Sequence, residues 1–239
     1  MSISRRNFIK GSLAAGLAVG ASALPVKAFA SNTGKRKKFK PAKRVIIFTF
    51  DGIRVDAFKT AKTPHLDALV SSGSASFATR DVMPSITLPN YTSHLLGAGP
   101  EVHGVTDNGW TLDNYGIPAV QKDEDGYFPS VFKVLKDNVP GIRTAFYYNW
   151  GPLVNPHNPK YFDDAVCAGD EEYALLCNRA MDFICENRDN PTFVFLYTVH
   201  TDHVGHTYKW MSPEYIRSIE EADAEVGRVE IPDLASDPD

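Results

Sequence analysis

Two uninterrupted apolar runs, RVIIFTF (44–50) and TFVFLYTV (192–199), constrain the fold more than any other feature. β-Branched and aromatic residues in succession, without polar alternation, predict strands covered on both faces. Between them lie segments of helical period. TPHLDALVSSG (63–73) carries Leu66, Leu69 and Val70 at helical spacing, with Thr63 as a cap, Pro64 at the first position and Gly73 as the stop. PSVFKVLKDN (129–138) predicts a second amphipathic helix, RTAFYYN (143–149) a strand, the stretch around 170–188 a helix, and Ser212-Pro213 the start of another. Strands alternating with helices imply right-handed crossovers, hence an α/β fold with a mostly parallel sheet and helices on both faces. The final stretch from Glu230, EIPDLASDPD, is patternless and reads as a tail.

The first thirty residues belong to a different argument. MSISRRNFIK holds the pair Arg5-Arg6, a weakly apolar Gly/Ala-rich run follows, and AFA (28–30) supplies a small-x-small cleavage site. This form resembles a twin-arginine export signal, which implies the translocation machinery as a partner and a periplasmic or secreted destination. The apolar run is too short for a stable membrane span. Residues 1–30 carry four basic and no acidic side chains, so their removal leaves 21 basic against 29 acidic residues, a net charge of −8. The basic stretch KRKKFKPAKR (35–44) therefore reads as a solvated linker, with 31–43 joining signal to domain, and an acidic chain beyond it argues against a nucleic-acid polymer as partner. The three cysteines at 167, 177 and 185 leave two readings open: one bridge from Cys167, or three buried thiols.

In open parallel sheets ligands gather at the carboxyl ends of strands. Three stations fall there: Asp51 in FDG, Thr87 in MPSITLPNYTSHLLG (83–97) ahead of a helix beginning near Pro89, and Asp202 with His206 in VHTDHVGHTYKW (199–210). Each also has a purely structural reading, as a turn former, a helix cap and a helix-face pair respectively. Together they point to chemistry. A threonine hydroxyl is a poor nucleophile at neutral pH, and a helix N-terminus or a divalent cation beside it offsets the developing negative charge.

VIIFTFDGIR, TPHLDAL, MPSITLPNYTSHLLGAGPEVHGVTDN and DHVGH resemble the alkaline phosphatase superfamily, specifically its nucleotide pyrophosphatase/phosphodiesterase branch, in order over roughly residues 44–229. The resemblance implies an alkaline-phosphatase-like fold, represented here by its N-terminal portion, and a metal-dependent phosphoric ester hydrolase acting on a small phosphate ester such as a nucleotide. Thr87 takes the place of the nucleophile that becomes phosphorylated. Asp51 and Thr87 take places at one metal, Asp202 and His206 at the other, and Asn108 donates to a phosphoryl oxygen. The implied cofactors are two divalent metal ions, zinc in this family. Tyr148 or Trp150, in YYNWGPL (147–153), falls where the family has an aromatic segment near substrate. His65, His94, His103, His200 and His203 are read as structural or solvent-facing. The family's later Asp-His and histidine ligands have no counterpart here, so the expectation is a truncated hydrolase. The alternatives are a non-catalytic remnant or binding module, and, less favoured, a sulfatase-like hydrolase.

Overall fold

The computed structural model describes residues 43–229; the expected signal, the linker up to residue 42 and the tail from 230 lie outside the described residues. The described residues form four strands: β1 (Arg44–Phe50), β2 (Arg143–Tyr148), β3 (Asp164–Cys167) and β4 (Thr192–Thr198). Helices α1 (Val55–Phe58), α2 (Pro64–Ser72), α3 (Thr87–Leu96) and α4 (Pro100–His103) lie between β1 and β2, together with α5 (Val131–Asn138). Helix α6 (Tyr173–Glu186) precedes β4, and α7 (His200–Tyr208) and α8 (Pro213–Val229) follow it. The sheet order is β1-β4-β2-β3, and every pairing is parallel.

β4 is central, and all seven of its residues are buried. Strand alternation splits its side chains between two cores. Phe193, Phe195 and Tyr197 join Phe146 and Tyr148 of β2 beneath Leu88, Tyr91 and Leu95 of α3 and Phe132 of α5. Val194 and Leu196 join Ala145 and Tyr147 beneath Tyr173, Leu176, Cys177, Ala180 and Phe183 of α6. Ring contacts tie the first core together: Phe146 stacks on Phe195 at 5.0 Å between centroids, and Phe132 meets Phe193 edge-on at 5.1 Å. Truncating any of these phenylalanines to Ala costs about 3–5 kcal/mol, because removal leaves a cavity as well as losing burial. β1, expected to be covered on both faces, is mostly half-buried. It pairs with β4 alone, so it has one sheet neighbour among the described residues.

Several local expectations are corrected. Thr63 is buried but makes no capping bond at α2. The cap comes from α8: the carboxylate of Asp223, 2% exposed, accepts from the Leu66 N–H at 2.7 Å and the His65 N–H at 3.3 Å. A carboxylate there satisfies orphan donors and complements the helix dipole. Helix α3 begins at Thr87 itself, with Pro89 inside the first turn where no donor is needed. β3 and α7 were not expected as elements. All three cysteines are free, and only Cys177 is buried. No helix among the described residues is long and apolar enough to cross a membrane.

Candidate active site

The in-register pairing of Phe50 with Thr198 brings the ends of β1 and β4 side by side. The turn that follows β1 is then held by β4, α7 and α8. Asp51 N–H donates to the Thr198 carbonyl at 2.9 Å, the Thr201 hydroxyl donates to the Asp51 carbonyl, and Tyr215 Oη donates to the Gly52 carbonyl at 2.6 Å. Gly52 has φ 72°, a left-handed conformation that suits glycine, and the start of α7 packs directly against it. Asp51 and Asp202 therefore meet although 150 residues separate them.

The Asp51 carboxylate accepts from Tyr197 Oη at 2.6 Å, and the Thr87 hydroxyl lies near enough to act on it. Its pKa is raised above the usual carboxylate value, chiefly by burial; the nearby Asp202 charge adds to this, while the Tyr197 and Thr87 hydroxyls oppose it. Tyr197 in turn is held well above the usual phenol range by burial and by the Asp51 charge, so it stays a donor.

Thr87 occupies the first helical position of α3, where backbone N–H groups have no intrahelical acceptor. One of these, Leu88 N–H, donates to Asn108 Oδ1 at 2.8 Å. That bond sets the amide orientation, committing the oxygen to the helix and leaving the Nδ2 donors for other partners. The Asn108 loop is anchored through His103, which is buried: Nδ1 accepts from Val105 N–H at 3.1 Å. Nε2 therefore carries the proton and donates to Ser93 Oγ at 2.9 Å, and Ser93 passes its own hydrogen to the Pro89 carbonyl at 2.8 Å. Burial lowers the His103 pKa to about 4, so this chain of bonds keeps its neutral ring at physiological pH.

Asp202 and His206 lie one turn apart on α7, with Nε2 and Oδ1 3.5 Å apart. Trp210 packs against Gly205 and meets the His206 ring edge-on at 5.2 Å between centroids. Asp51, Thr87, Asn108, Asp202 and His206 all line one cleft of about 700 Å³, together with Trp150. Tyr148 does not share that position. It is buried in the core against Phe146, because it is the last residue of β2 and points to the α3 side of the sheet. His203, also in the cleft wall, pairs with Asp170 at 2.9 Å, and His200 with Glu221 at 3.3 Å.

The sequence reading missed Asp81, Asn90, Tyr197 and Trp210. Asp81, Asn90 and Trp210 line the cleft, and Asn90 Oδ1 is buried without a hydrogen-bond partner. Tyr197 lies beneath it. For Asn90 a signal existed: it follows Thr87 by three, one helical turn, on the same face.

The donor set fits divalent cations. Among the described residues, three carboxylates (Asp51, Asp81, Asp202) and three imidazoles (His94, His203, His206) line the cleft and no Lys or Arg does, and Asp51 is desolvated beside another acid. Among the described residues, however, no three acidic, histidine or cysteine side chains converge on one point.

Comparison with known proteins identifies the family. Residues 45–229 match the family described as type I phosphodiesterase / nucleotide pyrophosphatase. Residues 2–22 match the TAT (twin-arginine translocation) pathway signal sequence, which directs the chain to export across the membrane. Ectonucleotide pyrophosphatase/phosphodiesterase family member 3 of Mus musculus is 25% identical over 192 residues, covering 77% of this chain and 22% of that protein. An uncharacterized pyrophosphatase/phosphodiesterase of Schizosaccharomyces pombe is 28% identical over 197 residues, covering 77% and 40%. Among solved structures, murine ectonucleotide pyrophosphatase/phosphodiesterase 5 superposes with a TM-score of 0.63 at 18% identity, covering 77% of this chain and 51% of that one. An inactive form of the same protein in complex with AMP matches equally, at 17% identity and a TM-score of 0.63. The chain thus spans between a fifth and two fifths of the length of these two curated relatives.

Proposed function

Since the chain belongs to the type I phosphodiesterase/nucleotide pyrophosphatase family, we propose that it serves as an exported phosphoric ester hydrolase using Thr87 as nucleophile. The observation that carries this reading is Thr87 at the start of α3, in one cleft with Asp51, Asn108, Asp202 and His206 and near enough to Asp51 to act on its carboxylate. Thr87 Oγ1 attacks phosphorus, and the bond from phosphorus to the leaving alcohol breaks. Water then cleaves the phosphothreonine, returning the hydroxyl and releasing a phosphate monoester when the substrate is a diester. Asp51, beside the Thr87 hydroxyl in the cleft, orients the attacking oxygen. Asn108 Nδ2, freed by the bond its Oδ1 makes to Leu88, donates to a non-bridging phosphoryl oxygen as charge accumulates there. The N-terminal end of α3 favours the same charge. Trp150, in the cleft wall, offers an aromatic face for a base or for the leaving group.

Asp51 with Thr87 would hold one divalent ion and Asp202 with His206 the other, zinc by family. Bound there, such ions supply Lewis-acid stabilisation of the attacking and leaving oxygens. The substrate is a small phosphate ester. A nucleotide is favoured, because AMP is the ligand in the complex of the structural relative. The family match favours phosphate over sulfate esters.

The test is hydrolysis of p-nitrophenyl thymidine 5′-phosphate by the mature chain with added zinc. Thr87→Ala should remove at least about a thousandfold of the rate, and Thr87→Ser should keep a measurable part. Full activity in Thr87→Ala would remove the nucleophile assignment. A second reading, a fold kept without its metals, draws on the two-ligand sites; it predicts close to no bound zinc, where the hydrolase predicts about two ions per chain.

A further inference from the structure

Tyr197 is fully buried, and its Oη stands 2.6 Å from Oδ2 of Asp51, which lines the cleft. An ionised carboxylate only accepts, so the phenol donates. Three bonds already hold the backbone of Asp51 and Gly52, from the Thr198 carbonyl, the Thr201 hydroxyl and the Tyr215 hydroxyl. What remains free is rotation of the carboxylate about its own side-chain bonds. Tyr197 removes that freedom. Its ring is itself fixed, packed edge-on against Tyr91 at 4.9 Å and 87°. Tyr91 sits one turn beyond Thr87 on α3, so the nucleophile's helix and the carboxylate are braced by one aromatic pair.

We propose that Tyr197 is a positioning residue: its hydroxyl reserves one Asp51 oxygen for the protein, so that a cation in the cleft meets the other oxygen singly and in a fixed direction. The inference rests on the metal-dependent reading given above. Hydrogen bonds of this kind, from a neighbour to a ligating group, set metal affinity, and their loss typically weakens binding about 10–100-fold. An ion seated on both carboxylate oxygens would have to displace the phenol, leaving a buried donor unpaired.

The test is zinc affinity of the mature chain, by competition with a chromogenic chelator, for wild type, Tyr197→Phe and Tyr147→Phe. Tyr147 is the control. It is another fully buried tyrosine whose hydroxyl bonds a carboxylate, Asp164 at 2.6 Å, outside the cleft lining. Tyr197→Phe should bind one of the two ions about 10–100-fold more weakly, with its lost phosphodiesterase rate recovered at high zinc; Tyr147→Phe should bind as wild type does. Equal affinity in Tyr197→Phe and wild type would overturn the positioning role and leave the hydrolase reading intact. Wild type that binds no zinc would sink the hydrolase reading, and this inference with it. Should Tyr197→Phe not fold, the zinc-loaded wild-type structure decides: zinc on the oxygen not bonded to Tyr197 supports the role, and zinc on both oxygens refutes it.

Discussion

A Cβ placed on Gly52 would stand 2.8 Å from the Asp202 Cα and 2.9 Å from its Oδ1. Two acids from opposite ends of the chain can meet only because one of the intervening residues has no side chain. Gly52→Ala must shift α7 and also hold Ala at φ 72°. The expected cost is about 1–3 kcal/mol of stability by urea unfolding, with weaker zinc binding because Asp202 retreats. Unchanged values for both would show that the turn has slack.

Asn108 Oδ1 holds the start of α3, and the proposed mechanism gives its Nδ2 a second job; the two separate by mutation. Asn108→Asp keeps an oxygen for Leu88 N–H and adds charge at a helix N-terminus, so stability should hold within about 0.5 kcal/mol. It loses the Nδ2 donor, and kcat should fall about 100–1,000-fold. Asn108→Ala should lose both, with an added stability cost of about 0.5–2 kcal/mol. Equal activity in Asn108→Asp and wild type would rule out phosphoryl contact by the amide.

Asp51 is costly without a cation. Because its folded pKa is raised, the proton is favoured in the folded state, and stability is lost as pH rises through that pKa. At pH 7.5 in EDTA, Asp51→Asn should be as stable as wild type or more so. Added zinc should raise the wild-type melting temperature and leave that of the variant nearly unchanged. A zinc-induced shift of equal size in both would place the ion elsewhere.

Acid should destabilise the fold through two histidines that the mechanism does not use. Burial lowers the pKa of His103 to about 4 and that of His157 to about 3. Both are neutral when folded and take up a proton on unfolding below their ordinary value of 6.5. Their contribution is therefore complete above that value and declines as pH falls toward 4, at about 1.4 kcal/mol per pH unit for each. Both ring nitrogens of His157 lack partners, and it packs among Phe132 and Phe146. His157→Phe should remove one histidine's share of the slope between pH 5 and 6 in urea titrations. An unaltered slope would contradict a buried neutral ring at 157.

The α/β class and the pairing of carboxyl-edge stations were legible because they rest on period and position. Apolar runs show as strands without any tertiary information, and Asp51, Thr87 and Asp202 follow such runs or open a helix. Tyr197 was not legible. Inside TFVFLYTV it reads as one more core aromatic, and its hydroxyl finds its partner 146 residues away. Helix α7 was obscured by Gly205 and by histidines of modest helix propensity, and it is Trp210, beyond its end, that packs onto the glycine. Tyr148 and Trp150 looked equivalent two residues apart; β2 ends between them, so one stays in the core and the other lines the cleft.

The first strand pairs, along its whole length, with one that leaves the ribosome roughly 150 residues later. The cap of α2 arrives later still, with Asp223. Because α1 and α2 also pack against α8, this part of the fold closes only through contacts distant in sequence, which slows folding relative to local closure.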